Sequence, residues 1–266
     1  MAINRKQNHY FLDEAGNPTF FGKKRIPLRI GQEGVSNTFM VGMVYFNGYL
    51  DPLREKITAL EMQVQNNTHY NSICSVQKRI EKGGFYFHAN ADTPELRKIF
   101  FDFLLEMDCR CEIVVGRKDL GRFVRKHNSQ EPEFYADLLS HLIQGELHIN
   151  SNLVFNMAQL GNSTSQNNLL KGLEKAEQRF ITNNPDKNAN AKVRFHVWDY
   201  QDEPLLAVID YLLWTVQRVF EKGETEYYDY LNEKIVKIID LYDPNGAQIY
   251  TIENPLTTEN KISPQP

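Results

Sequence analysis

Two acids at the end of one apolar run and a third inside another carry the most chemistry in this chain. The first run is Tyr10-Phe11-Leu12-Asp13-Glu14, closed by Ala15-Gly16-Asn17-Pro18. Gly-Asn-Pro is a turn signal, so the acids fall at the tip of a predicted strand, rigid and partly open. Strand alternation turns His9, Phe11 and Asp13 to one side and Tyr10, Leu12 and Glu14 to the other. Asp13 is therefore the candidate ligand, with Glu14 supporting it or serving the turn. The third acid, Asp210, lies in Pro204-Leu205-Leu206-Ala207-Val208-Ile209-Asp210-Tyr211-Leu212-Leu213-Trp214. A charged, unpaired carboxylate buried in such a helix costs several kcal/mol, so it needs a partner, a proton or a metal. If Asp13 and Asp210 converge, they repel unless a cation lies between them, and Mg²⁺ or Mn²⁺ is the expected ion. The competing readings are a solvated turn for the first pair and a carboxylate satisfied by an Arg or a backbone group for Asp210.

Other residues can complete such a site. Glu203, Ala207, Asp210, Trp214 and Gln217 recur at helical spacing and share a face, which makes Glu203 a candidate ligand. Arg117-Lys118-Asp119 ends another predicted strand, where Lys118 is placed to neutralise a phosphate and Asp119 to act as a further ligand. Asp92 reads first as a helix cap, and His88 as a hydrogen-bonded core histidine.

These residues need an α/β frame. Strands are predicted over His9–Glu14, Asn37–Phe46, Phe85–Asn90, Cys109–Val115, Leu153–Met157 and Lys192–Trp198. Asn37–Phe46 is apolar on both faces, as in a central strand. Helices are predicted from Asp51, where Leu53, Ile57, Leu60 and Val64 form one stripe, and over Ser72–Lys82. Further helices are predicted beyond Asp92-Thr93-Pro94-Glu95, over Pro132–Glu146, around Leu169–Phe180, over Pro204–Phe220 and over Glu226–Asp240. Early strands followed by alternating helices and strands indicate a sheet with helices on its faces. One domain over residues 1–253 is the economical division, with a polar, Pro-bearing tail over 254–266.

With 266 residues, 41% hydrophobic, the chain is long enough for one sizeable core. Its net charge of −4 leaves nucleic-acid contact to local basic segments, of which Lys23-Lys24-Arg25 and Arg122–Lys126 are the clearest. Cys74, Cys109 and Cys111 have no zinc spacing; Cys109 and Cys111 read as a buried reduced pair. No leader and no run of about 18 apolar residues is visible, so the expectation is a soluble, cytoplasmic protein. There is no Walker loop, dinucleotide fingerprint, nucleophile elbow or His-Glu-x-x-His.

The segment Tyr10–Asn17 resembles the N-terminal motif (aliphatic residue, Asp, Glu, Ser or Ala, Gly) of the bacterial family called domain of unknown function 3800. Phe87-His88-Ala89 with Glu95-Leu96-Arg97 and Phe100-Phe101 is similar to that family's mid-chain strand and helix. Glu203–Trp214, continued by Val216-Gln217-Arg218, is similar to its C-terminal segment. The likeness runs from about residue 8 to residue 240. It implies a ribonuclease H-like mixed sheet flanked by helices, with helical additions, holding two divalent metals between carboxylates. By position, Asp13 is then the first-strand acid, Asp210 the late-helix acid, and Lys118 a lysine after the central strand. The pattern departs at Ala207, where many members carry Gln, at Tyr86, where some carry Glu, and at Asn156-Met157, which offers no acid. The expected function is Mg²⁺- or Mn²⁺-dependent hydrolysis of RNA or DNA. The alternative is a catalytically silent module of a mobile-element or defence system that binds nucleic acid or a partner protein, or forms a homo-oligomer.

Overall fold

The computed structural model describes residues 7–148, 152–159, 164–187 and 189–259. Its centre is β2 (Thr38–Phe46), buried on both faces over its first seven residues, as its unbroken apolar sequence requires. On one side β2 pairs antiparallel with β1 (Gln7–Gly16), which pairs parallel with β4 (Asn152–Ala158), and β4 with β5 (Lys192–Trp198). On the other side lies antiparallel β3 (Cys109–Arg117), then parallel β6 (Ile235–Asp240) and antiparallel β7 (Gln248–Tyr250). The seven-stranded order is β5-β4-β1-β2-β3-β6-β7. Helices cover both faces, and the fold is a ribonuclease H-like α/β fold.

One face of the sheet packs against α1 (Asp51–Asn66), α3 (Pro94–Glu106), α7 (Leu206–Lys222) and α8 (Glu226–Leu231). The other packs against α4 (Leu120–His127), α5 (Glu131–Ile143) and α6 (Gln166–Asn183). The short α2 (Cys74–Ile80) adds Val76 to the first layer. No helix among the described residues is long and apolar enough to cross a membrane. Cys109 and Cys111 are buried and unpaired, as expected of a reduced core pair.

Three expectations are corrected. Phe85–Asn90 joins no strand and ends in a turn at Ala89 and Asn90, and three of its backbone donors go to side chains. Phe85 N–H bonds Gln65 Oε1 at 3.1 Å, His88 N–H bonds Asp92 Oδ2 at 2.8 Å, and Ala89 N–H bonds Asp210 Oδ2 at 2.6 Å. The helix predicted over Glu226–Asp240 stops at Leu231, and Ile235–Asp240 is β6. Ile235 and Ile238 fit a helical stripe equally well, but IVKIID is rich in β-branched residues and pairs along β3. Asp92 is not the cap of α3; Thr93 holds that position. Of the residues assigned to a tail, Leu256 is buried in the first layer, and those past 259 lie outside the described residues.

Gly42 sets the distance between sheet and α7. It pairs directly with Asp13, and a Cβ there would lie 2.9 Å from Ile209 Cδ1 and from Leu213 Cγ and Cδ2. Gly42→Ala should therefore cost about 1–3 kcal/mol, the usual range for overpacking, read as a lower urea midpoint with unchanged slope.

Candidate metal and phosphodiester cleft

The C-terminal tip of β1, the first turns of α7 and the segment after Phe87 enclose a cleft of about 440 Å³. Asp13, Glu14, His88, Tyr200, Asp210 and Gln217 are among the residues that line it. Asp13 shares its face of β1 with Phe11, which packs in the α7 layer, whereas Tyr10 and Leu12 pack in the α5 layer. Alternation therefore holds, and Gly42 opposite Asp13 is what lets α7 come close. α7 has no interior Gly or Pro, and it ends at Gly223, whose φ of 73° turns the chain so that Glu224 N–H returns to Arg218 O at 3.3 Å. On it Asp210, Trp214 and Gln217 face the cleft together, as their spacing predicts.

The acids are costly where they stand. Burial pushes Asp13 up to about 8, helped by the nearby Asp210 charge and opposed by the hydroxyl of Tyr200, which donates to Asp13 Oδ2. Burial likewise pushes Asp210 up to about 7, against the hydrogen bond it receives from Ala89 N–H. Glu14 is raised well above the usual carboxylate range by burial and by Asp13. Its Oε1 is buried with no hydrogen-bond partner, and so is Nδ1 of His88, which lies 3.9 Å from Asp210 Oδ2. Burial also lowers the His88 pKa, which keeps the ring neutral at pH 7.

The other candidates lie elsewhere. Glu203 is buried against Arg54, with Nη2 2.8 Å and Nε 3.0 Å from its oxygens, and is a structural ion pair. Asp119 caps α4, accepting Arg122 N–H at 2.6 Å. Lys118 is buried, donates to Thr19 O at 2.7 Å and stands 5.1 Å over the Phe20 ring; burial lowers its pKa to about 8. Arg117 is held by Asp240 and Asp243, 2.5 and 2.6 Å away. Asp92 is satisfied by Arg79, His88 N–H and the Tyr211 hydroxyl.

Tyr200, Asn90 and Gln159 also line the cleft and have no signal in the sequence. They come from turns after β5, Phe87 and β4, which only the fold brings together. No Lys or Arg lines the cleft among the described residues. The adjoining hollow, which shares Asn90, Trp214 and Gln217 with it, carries Lys222 and Arg218, and Arg218 is tied to Glu224.

Among the described residues no group of three His, Cys, Asp or Glu side chains is gathered as a metal cage. Mg²⁺ does not require one: it is commonly held by one or two carboxylates, with water and substrate phosphate supplying the rest. Two buried carboxylates whose protons are favoured by burial, with the Asp210 charge adding to the effect on Asp13 and that of Asp92 to the effect on Asp210, beside an orphaned carboxylate oxygen, fit such an ion. Tyr200→Phe removes the donor that orients Asp13. Loss of an orienting hydrogen bond typically lowers metal affinity about 10–100-fold, which calorimetric titration with Mn²⁺ would detect; unchanged affinity would remove Tyr200 from the site.

Fold and cleft together define a class: a ribonuclease H-like α/β protein whose first strand and late helix present paired buried carboxylates. No protein-family model matches the chain, and no curated protein matches it.

Proposed function

We propose that the protein is a Mg²⁺- or Mn²⁺-dependent phosphodiesterase acting on nucleic acid, with Asp13 and Asp210 as the metal-holding acids. The observation that carries this reading is that these two carboxylates line one cleft, where burial penalises both and the Asp210 charge adds to the penalty on Asp13 unless a cation neutralises them. The likeness to the domain of unknown function 3800 family supports the same pair of acids. Glu14 adds negative charge beside Asp13, and Tyr200 and Ala89 N–H fix the two carboxylates by hydrogen bonds. A bound divalent ion supplies charge neutralisation for the phosphoryl oxygens and a more acidic water. His88, kept neutral by burial, lines the cleft as a proton-accepting group that would not hold the metal. Lys118 is not assigned a role, since its ammonium is engaged by Thr19.

The test is cleavage of labelled RNA and DNA with Mn²⁺ or Mg²⁺, before and after chelation, in wild type and in Asp210→Asn. Metal-dependent cleavage that disappears in the variant supports the reading, and cleavage that survives the variant removes it. The lack of a Lys or Arg on the cleft wall favours a second reading, a metal-binding but catalytically silent module; it predicts calorimetric Mn²⁺ binding without turnover.

A further inference from the structure

An acidic cleft cannot by itself attract a polyanion, and the opposite layer carries what it lacks. Glu133 and Asp137 are four residues apart on α5 and so share one face. Each is shared by two cations from neighbouring helices. Glu133 accepts from Lys171 at 2.7 Å and Lys175 at 3.0 Å, both on α6. Asp137 accepts from Lys126 of α4 at 2.9 Å and from Arg179 of α6. Four cations thus face these two carboxylates, and α6 also carries Glu174 and Glu177. The four side chains are 30–44% exposed, so their charge reaches solvent. Between α5 and α6 this surface dips into a hollow of about 590 Å³ whose wall includes Lys175, Arg179, His141, Gln144, Gln178 and Thr182, with no carboxylate among the described lining residues.

The Glu133, Lys171 and Lys175 part of this surface lies at the same end of the sheet as the cleft, whereas the hollow, beside the C-terminal ends of α5 and α6, lies toward the other. β1, β3 and β4 run in one direction, and α5 and α6 follow β3 and β4 from the end at which β1 presents its acids. The first half of α5 seats Phe134 and Leu138 over Gly116 at the tip of β3, while Tyr135 approaches Glu14. One helix therefore has the cleft acid on its inner side and the cation row on its outer side.

We infer that the Lys126, Lys171, Lys175 and Arg179 surface binds the phosphodiester backbone of a nucleic acid outside the cleft. It supplies the affinity that the cleft walls do not. The inference rests on the nucleic-acid part of the proposed function, but not on catalysis. Phosphates would replace part of the carboxylate pairing, and the counterions released would make binding salt-dependent.

The test is fluorescence anisotropy with labelled single-stranded RNA and duplex DNA across salt concentration, in EDTA so that no cleavage intervenes. Lys171→Gln with Lys175→Gln should lower the slope of log affinity against log salt by roughly 1.4 for single strands and 1.8 for duplex. Glu133→Gln, which removes the competing carboxylate, should tighten binding severalfold; a purely structural role for these pairs predicts no gain. A wild-type slope in the double variant, a slope lost only on Lys222→Gln, or no polynucleotide binding near 50 mM salt overturns the inference. So does inorganic phosphate competing at sub-millimolar concentration, which marks a small-anion site. Cleavage with Mn²⁺, assayed separately, decides the catalytic reading: binding without cleavage defeats only that reading, and cleavage with a wild-type slope in the double variant defeats only this surface.

Discussion

Metal-free protein should lose stability as the pH rises from about 6.5 to about 8, and millimolar Mn²⁺ or Mg²⁺ should remove most of that loss. The remainder is carried by Glu61, which burial outside the cleft raises to about 7. An unfolded Asp releases its proton near pH 4, whereas the folded protein keeps Asp13 protonated to about pH 8 and Asp210 to about 7, and burial holds Glu14 well above the usual carboxylate range. Across this window the native state binds more protons than the unfolded state, so stability falls as pH increases. One retained proton is worth about 1.4 kcal/mol per pH unit, or about 2 kcal/mol over the window.

The window is set by the neighbouring titrations. His9, His88 and His141 have lowered pKa values in the fold, so below about pH 6.5 they make stability rise with pH and oppose the acids. Above about 8 Lys118 acts in the same opposing sense, because its folded pKa lies below its unfolded one. Asp137 is buried, yet hydrogen bonds from His127, Tyr242 and Lys126 hold it far below the usual carboxylate range; its stabilisation is complete above about pH 4 and is lost only on acidification. A metal that binds only the native, ionised site restores stability as RT ln(1 + [M]/Kd). Urea unfolding in EDTA and in Mn²⁺ at three pH values measures the effect. A flat or rising profile in EDTA would show that the cleft acids do not carry this burden.

Asp13→Asn should change two properties in opposite directions. The amide fills the same volume without charge, so it removes the penalty that burial and Asp210 impose on the carboxylate. Thermal stability of the metal-free protein at pH 8 should rise, by a few degrees per kcal/mol for a chain of this size. Mn²⁺ affinity and cleavage should fall, the latter by roughly a hundredfold or more, the scale on which a preorganised electrostatic group contributes. Asp210→Asn should behave alike, since its amide oxygen can still accept Ala89 N–H. A more stable but inactive variant cannot be explained by unfolding. Two controls isolate the cleft. Asp119→Asn keeps an equally good helix cap and should leave metal binding and stability unchanged. Glu203→Gln takes from Arg54 its buried ion-pair partner and leaves only the exposed Asp51, and should destabilise the protein without touching metal affinity. Asp13→Asn protein that still binds Mn²⁺ with wild-type affinity would move the site elsewhere.

Features set by local periodicity were legible in the chain. The alternation of Tyr10–Glu14 put Asp13 on the α7 side with Phe11, although Glu14 also reaches the cleft beside it, and helical spacing put Asp210, Trp214 and Gln217 on one face. The apolar content of Asn37–Phe46 marked the central strand. Each follows from backbone geometry over a few residues and from the cost of exposing apolar surface. Spacing could not choose between partners distant in sequence. Glu203 shares the helical face of Asp210, yet Arg54 claims it; Lys118 follows a central strand, yet Thr19 O and Phe20 hold it. Phe85–Asn90 has strand composition, but Gln65, Asp92 and Asp210 take three of its backbone donors. Ile235–Asp240 fits a helical stripe until β3 offers it an edge.

The sequence by itself determined that Asp13 and Asp210 were acids in surroundings hostile to charge, because apolar neighbours on both sides leave a carboxylate few alternatives. The tertiary structure decided that these two, and not Asp119, Glu203 or Asp92, meet in a cleft. It did so through Gly42, which lets α7 settle against β1, and through Tyr200 and Ala89, which reach the acids from turns far along the chain. Hydrogen bonds and ion pairs depend on distances of a few ångströms between groups that the chain separates by up to 187 residues, and only the completed fold sets those distances.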